Sequence, residues 1–224
     1  MAKGKGIHHW LVSIQRRLEA RFTHDISDPH HRRRSQQFVD WFDHGILRRP
    51  WHNFALVGPG LYRSNHPDAA RLEDYARRGI RSVLNLRGAK HQSPYKFEAE
   101  ACARLGLPLV VVPMSARQAP HAAAILALIE AYRTLPRPIL VHCKSGADRT
   151  GLAGAIWKMV IEGRPAAEAR RQLSPRFLHF RWSKTGVLDR FLDAYEQRLS
   201  QGPISFEDWV RTEYVREALM ASSR

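Results

Sequence analysis

Apolar and polar positions follow two rhythms along the chain, and their order predicts the architecture. Short apolar runs bounded by Gly and Pro predict strands. Phe54-Ala55-Leu56-Val57 and Leu61-Tyr62-Arg63 form a predicted hairpin around Gly58-Pro59-Gly60. Ile80 to Leu86, Leu107 to Val112 and Ile139-Leu140-Val141 follow as buried strands. Helical spacing fills the intervals. Asp68 is placed to cap a helix running through Arg78, which Gly79 ends; others run from Ser93 to Leu105 and from Pro120 to about Leu135. After the strand at 139 the chain is helical, first over Gly151 to Val160 and again from Pro165. Thr185 to Leu199 carries Val187, Leu188, Phe191, Leu192 and Tyr195 on one stripe, and Ser205-Phe206-Glu207-Asp208 has the form of a capping box for a final helix. This alternation predicts an α/β fold with a central, mostly parallel sheet flanked by helices on both faces.

Before the hairpin the pattern changes. Ile7, Trp10, Leu11, Ile14 and Leu18 keep helical spacing, with Arg16, Arg17 and Arg21 largely opposite. Such a helix suits an anionic membrane surface, or packing on the domain. His30-His31-Arg32-Arg33-Arg34 is a cationic cluster without metal-ligand spacing, and Phe38 to Gly45 predicts a short helix ended by Gly45. The expected organisation is a basic, partly helical extension over 1–52, a catalytic domain over 53–200 and a C-terminal helix over 201–224.

The candidate chemistry sits where the strand at 139 meets the helix at 151. The stretch is His142-Cys143-Lys144-Ser145-Gly146-Ala147-Asp148-Arg149-Thr150-Gly151. A helix N-terminus leaves unpaired N–H groups and about half a positive charge, so a loop wrapped over it aims donors at an anion. Lys144, Ser145, Gly146, Ala147 and Asp148 supply loop amides, and Gly146 allows angles that a Cβ forbids. Arg149 can grip two phosphate oxygens with its planar fork. The same field favours thiolate over thiol at Cys143, making it a nucleophile without a separate base. Thr150 can offer its hydroxyl to the sulfur. No Gly-Lys-Ser/Thr follows a Gly-rich turn, which excludes a Walker loop.

This stretch resembles the signature of the cysteine-dependent protein tyrosine and dual-specificity phosphatases: His-Cys, five residues, Arg, then Ser or Thr. Tyr62-Arg63-Ser64 and Asn85-Leu86-Arg87-Gly88 also resemble segments of the bacterial and fungal members. The resemblance spans roughly residues 53–200. It implies a dual-specificity-phosphatase-like fold and a two-step reaction: the thiolate of Cys143 attacks phosphorus, then water releases phosphate. No metal or cofactor is implied. In these relatives the leaving oxygen is protonated by an Asp on a separate loop. The corresponding stretch here, Pro113 to His121, holds no Asp or Glu. Asp148 is the expected substitute, because an Asp-Arg-Thr ending resembles the loops of myotubularin-like lipid phosphatases. The alternative for Asp148 is a carboxylate that orients Arg149 or caps the helix, and His121 is a second acid candidate. His142 is expected to hydrogen-bond the loop and help set the thiolate. Lys144 resembles a residue of the tumour-suppressor phosphoinositide phosphatase, and Arg87, at a strand's C-terminal end, is a candidate substrate contact or a structural ion pair.

Charge narrows the partners. The formal net charge is +15, which attracts polyanions. The expected partner is a phosphorylated protein or an anionic phospholipid headgroup, with peripheral contact to an anionic membrane. No motif marks a specific nucleic acid, and the sequence leaves the oligomeric state open. The two cysteines give no disulfide framework, and a thiolate mechanism needs a reducing compartment. No apolar run approaches the roughly 18 residues of a spanning helix, and the N-terminal pattern is not that of a secretory signal. These features predict a cytoplasmic protein, peripheral at the inner membrane surface. The alternative to an enzyme is a non-catalytic phospholigand-binding module or membrane-surface adaptor.

Overall fold

The structure, a computed structural model, describes residues 26–88 and 91–221. The expected amphipathic stretch at 7–18 lies outside the described residues. Five strands form one sheet in the order β1-β2-β5-β3-β4: β1 Ala55–Gly58, β2 Leu61–Ser64, β3 Ser82–Asn85, β4 Leu109–Val111 and β5 Ile139–His142. Only the β1–β2 hairpin is antiparallel; β2–β5, β5–β3 and β3–β4 are parallel. Side chains alternate across a strand, so successive residues feed opposite cores. Ile139, Val141 and Leu84 face one core with α5 Ala122–Thr134, α6 Asp148–Val160, α8 Val187–Leu199 and α9 Phe206–Thr212, while Leu140 and Val83 face a smaller one with α3 Ala69–Arg77 and α4 Ser93–Leu105. The mostly parallel sheet with helices on both faces is thus the expected one. The short α7, Ala166–Ala169, follows α6 with Pro165 at its N-cap.

Helix starts follow the sequence signals. Asp68 accepts from the backbone N–H of Arg71 at 2.9 Å. Ser205 accepts from the N–H of Asp208 at 3.0 Å and donates its hydroxyl to the Asp208 carboxylate at 2.6 Å. The predicted final helix is broken in two, α9 and α10 Arg216–Ala221. Tyr214 sits at the break: its ring packs on Phe191, 4.9 Å between centroids, and its hydroxyl donates to Pro120 O at 2.8 Å.

The region before the hairpin departs from expectation. Helix α1, Pro29–Gln37, runs into a π-helical turn at Phe38–Phe42, and Gly45 opens α2, Gly45–Arg48, rather than ending a helix. The left-handed residue is His44, with φ 62°. Glycine is needed at 45 for closeness, since a Cβ there would stand 2.7 Å from the Val39 carbonyl oxygen. Among the described residues, no helix is long and apolar enough to cross a membrane.

Candidate active site

Strand β5 is the middle strand of the sheet, bonded on both edges, and it ends at His142. The chain then wraps residues 143–147 over the first turn of α6. Gly146 makes that wrap possible. It has φ 73°, and a Cβ would lie 2.6 Å from Ser64 O and 2.7 Å from Asn65 N. Cys143 lies on the loop floor, 1% exposed. Burial pushes its thiol up, but the Arg149 guanidinium, the Thr150 hydroxyl and N–H and the Gly146 N–H outweigh that and hold it below the usual thiol range. Thr150 Oγ1 is buried without any other hydrogen-bond partner. Arg149 is held loosely, with Nη1 3.4 Å from Leu86 O and 3.5 Å from Met114 O, and its buried Nε has no protein acceptor. Its fork is therefore free to take phosphate oxygens.

His142 stands behind the loop, fully buried. One ring nitrogen faces Glu98 and the other lies 3.3 Å from Cys143 O; Asn85 holds the second Glu98 oxygen at 2.5 Å. His66 completes a His66–Glu98–His142 cluster close enough to ligate a metal, yet His142 and Glu98 already occupy one another. A surface group, Asp28–His30–His31, is explained by Asp28 capping α1 through the His31 N–H at 2.8 Å.

Three of the expected phosphate-facing groups have other partners. Lys144 Nζ lies 3.2 Å from Asp43. Arg87 makes a two-pronged pair with the same carboxylate, at 2.9 and 2.7 Å, so of its two readings the structural ion pair is the one present. Arg48 closes on Asp43 at 2.8 Å. Burial raises the Asp43 carboxyl, but Arg87, Arg48 and Lys144 together hold it well below the usual carboxylate range. Asp148, first residue of α6, accepts from His179 at 2.8 Å. Burial again raises it, and His179 and Thr185 bring it below the usual range. His121 is exposed at the N-cap position of α5 and makes no capping bond.

Several residues that sequence reasoning left without a role hold the loop. Arg63, in β2, is fully buried; Nη2 donates to Gly146 O at 2.7 Å, Nη1 to Gln172 O at 2.9 Å and to Gln172 Oε1 at 2.8 Å. Its guanidinium lies over the Phe177 ring at 3.6 Å. Asn53 ties Ser145 O (3.2 Å) to Phe177 O (3.1 Å). A charge inside an otherwise apolar strand was the available signal for Arg63; Asp43 and Asn53 carry none. Cys102 packs in the smaller core on the other face of the sheet, where burial pushes its thiol up to about 12, and both cysteines are free.

A family model described as "DSP-PTPase phosphatase fused to NAD+ Kinase" matches residues 60–183. The chain is similar to the dual specificity protein phosphatase TpbA of Pseudomonas aeruginosa, 27% identical over 121 residues, 51% of this chain and 50% of TpbA. It is also similar to the inositol diphosphatase DSP4 of Arabidopsis thaliana, 26% identical over 177 residues, 72% of this chain and 81% of DSP4. The match thus spans half the length of TpbA and most of DSP4. The crystal structure of Tk-PTP in its active form has a TM-score of 0.53 at 20% identity, covering 66% of this chain and 99% of that one. The TpbA crystal structure gives 0.52 at 21%, covering 67% and 91%. At such identities these two likenesses speak for the fold. The family match runs from β2 to the turn before α8, which takes in the loop and the strands that carry it, and the chain belongs to this family of cysteine-dependent dual-specificity phosphatases.

Proposed function

We propose that the protein hydrolyses phosphate monoesters through a cysteinyl-phosphate on Cys143. One observation carries the reading: a buried cysteine, held below the ordinary thiol range by Arg149, Thr150 and Gly146, lies at the floor of a loop of backbone amides beside an Arg whose Nε has no protein acceptor. In this reading Arg149 and the amides of Lys144 to Asp148 hold the phosphate. Charge building on its equatorial oxygens then meets donors already in place. Thr150 stabilises the sulfur as it leaves, His142 fixes the floor of the loop, and Asp148 protonates the leaving oxygen and later activates water. Lys144 and Arg87 act through Asp43, shaping the rim rather than gripping phosphate.

The substrate we propose carries negative charge beyond the reacting phosphate. A surface basin of about 910 Å³ is walled by the loop at Arg117, the turn at Trp182 to Lys184, α8 at Arg190 and α10 at Arg216. It holds those four cations with Lys184 and Arg190 counted, against one carboxylate, Glu217, and Trp182 is 82% exposed on it. No residue of 142–151 lines it, but the segments that carry Arg117 and Lys184 also carry Met114, whose O lies 3.5 Å from Arg149 Nη1, and Thr185, which supports Asp148. Both an anionic phospholipid headgroup and a phosphorylated protein with acidic surroundings suit it. Of the two relatives, TpbA is a dual specificity protein phosphatase, which supports the protein class, and DSP4 is an inositol diphosphatase, which supports a substrate with more than one phosphate. Peripheral binding at an anionic membrane belongs with the first.

The test is phosphate release by wild-type and Cys143→Ser protein on phosphotyrosine peptides, phosphoinositides, soluble inositol phosphates and phosphatidylglycerol phosphate in anionic vesicles. Turnover by wild type and none by Cys143→Ser, with binding kept, is expected. Binding without turnover in the wild type would make it a phospholigand module instead.

A further inference from the structure

Behind the proposed acid lies a second titratable group that the reaction as described leaves unused. His179 is 1% exposed and stands between two carboxylates: Nδ1 is 2.8 Å from Asp148 Oδ1, and Nε2 is 2.7 Å from Asp189 Oδ2. Ionised carboxylates only accept hydrogen bonds, and a neutral imidazole has one N–H. Two bonds therefore require two protons in the trio. They sit either as an imidazolium between two carboxylates, or as a neutral His179 that donates to Asp189 and accepts from a protonated Asp148. The two forms differ by one short proton shift along the Asp148–His179 bond. His179, in the middle, is the most buried of the three at 1%, and of the two carboxylates that flank it Asp148 is the more exposed, 20% against 9% for Asp189. Asp148 is the member that opens furthest to the outside.

We infer that His179, oriented by Asp189, is the proton reservoir of the general acid: it holds the proton at rest and passes it through Asp148 to the leaving oxygen. This rests on Asp148 being the acid, and it removes the difficulty in that assignment. An Asp supported by His179 and Thr185 is ionised at neutral pH and by itself has no proton to give. The reservoir supplies one. The two carboxylates in contact with the ring both favour an imidazolium at rest. Asp148 faces it from α6 and Asp189 from α8. Arg170, from the turn at Arg170–Gln172, is drawn to Asp193 at 2.5 Å and Glu196 at 3.1 Å and stands on the Asp189 side. Burial lowers the imidazole, yet the two carboxylates raise it to about 9.

The cycle balances. As the S–P bond forms and the O–P bond breaks, the Nδ1 proton of His179 moves to Asp148, and Asp148 delivers a proton to the departing oxygen. His179 is left neutral, its N–H on Nε2 still donating to Asp189. Water then attacks phosphorus, the S–P bond breaks with the electron pair returning to Cys143, and Asp148 takes a water proton and returns it to Nδ1. The sum is one phosphate monoester plus water giving an alcohol and phosphate.

The experiment compares pH profiles of kcat/KM for wild type and His179→Gln on an alkyl phosphate and on p-nitrophenyl phosphate, whose leaving group needs no proton. For His179→Gln we expect alkyl phosphate hydrolysis to fall about 100-fold or more at pH 7 and to recover towards pH 4, where Asp148 protonates from solvent, with p-nitrophenyl phosphate changed only a few-fold. Asp189→Asn should give the same pattern, weaker. An alkyl phosphate profile parallel to wild type, or an equal loss on both substrates at every pH, overturns the reservoir. Nitrogen NMR of the wild-type imidazole needs no variant and no activity. His179 should be an imidazolium at pH 7 and lose its proton near pH 9; a neutral ring at pH 7 overturns the proposal. If Cys143→Ser retained activity, the thiolate mechanism would fall while the NMR result for the trio stood, so the two failures are separable.

Discussion

At the scale of single residues, the proposed reaction divides the site into groups that would meet the phosphate and groups that hold them. Arg63 is the clearest of the second kind. It is fully buried, and burial lowers its guanidinium to about 10, still charged at neutral pH. Arg63→Met should leave the carbonyls of Gly146 and Gln172 without their donor, with a stability loss of about 3 kcal/mol from buried unsatisfied groups. Urea denaturation would measure that loss, and phosphate affinity should fall with it; an unchanged midpoint and affinity would deny Arg63 the clamp. At Asp148, Asn substitution should slow alkyl phosphates about 100-fold or more and activated aryl phosphates only a few-fold, whereas an equal loss on both would indicate a damaged loop. The residues that meet the phosphate were legible because they are consecutive: a strand, ten residues and a helix fix their geometry locally. Asp43, Glu98 and His179 come from far along the chain, and nothing local marks the contacts they make; Arg63 stood out as a charge in an apolar strand, but its hold on Gly146 and Gln172 did not. Lys144 was legible as a cation, but its pairing with Asp43, about a hundred residues away in sequence, was not.

Among elements, the segment at 29–53 is joined to the loop rather than appended to the domain. Asp43 gathers Arg48, Arg87 and Lys144, and Asn53 reaches Ser145 O, while the N–H of Asn65 donates to His52 O at 2.8 Å. The composition of this stretch predicts a basic, partly helical extension; its buried Asp43 ties it to the loop. Asp43→Ala would leave Arg48 and Arg87 buried without their partner, and breaking a buried pair from one side costs about 3–5 kcal/mol. The expected outcome is a destabilised protein whose phosphate affinity falls more than that of a surface control such as Glu100→Ala, whose side chain is 48% exposed. Equal phosphate affinity in wild type and Asp43→Ala would reduce the hub to packing. The strands and long helices were read nearly in place from periodicity alone, since each buries one continuous face. The π-helical turn and the break at Tyr214 were not, because both are set by contacts made after the elements meet.

The whole molecule places a reactive loop at the C-terminal end of a central parallel strand, the usual ligand position in such sheets, and surrounds it with positive charge. Two cores, one on each face of the sheet, hold β5 from both sides, and the larger also carries α8, whose Asp189 backs His179. The fold class followed from the strand–helix order; the basin between α8, α10 and the loop at Arg117 did not, because it exists only once the last helices have packed. The central claim is that phosphate passes through Cys143. Its most direct test is a rapid acid quench of wild-type protein during turnover of p-nitrophenyl phosphate, followed by mass mapping of the peptides. The account predicts one phosphoryl group on the peptide that contains Cys143, appearing within the first turnover and absent in Cys143→Ser. Steady turnover with no adduct on that peptide, and undiminished turnover in Cys143→Ser, would contradict it.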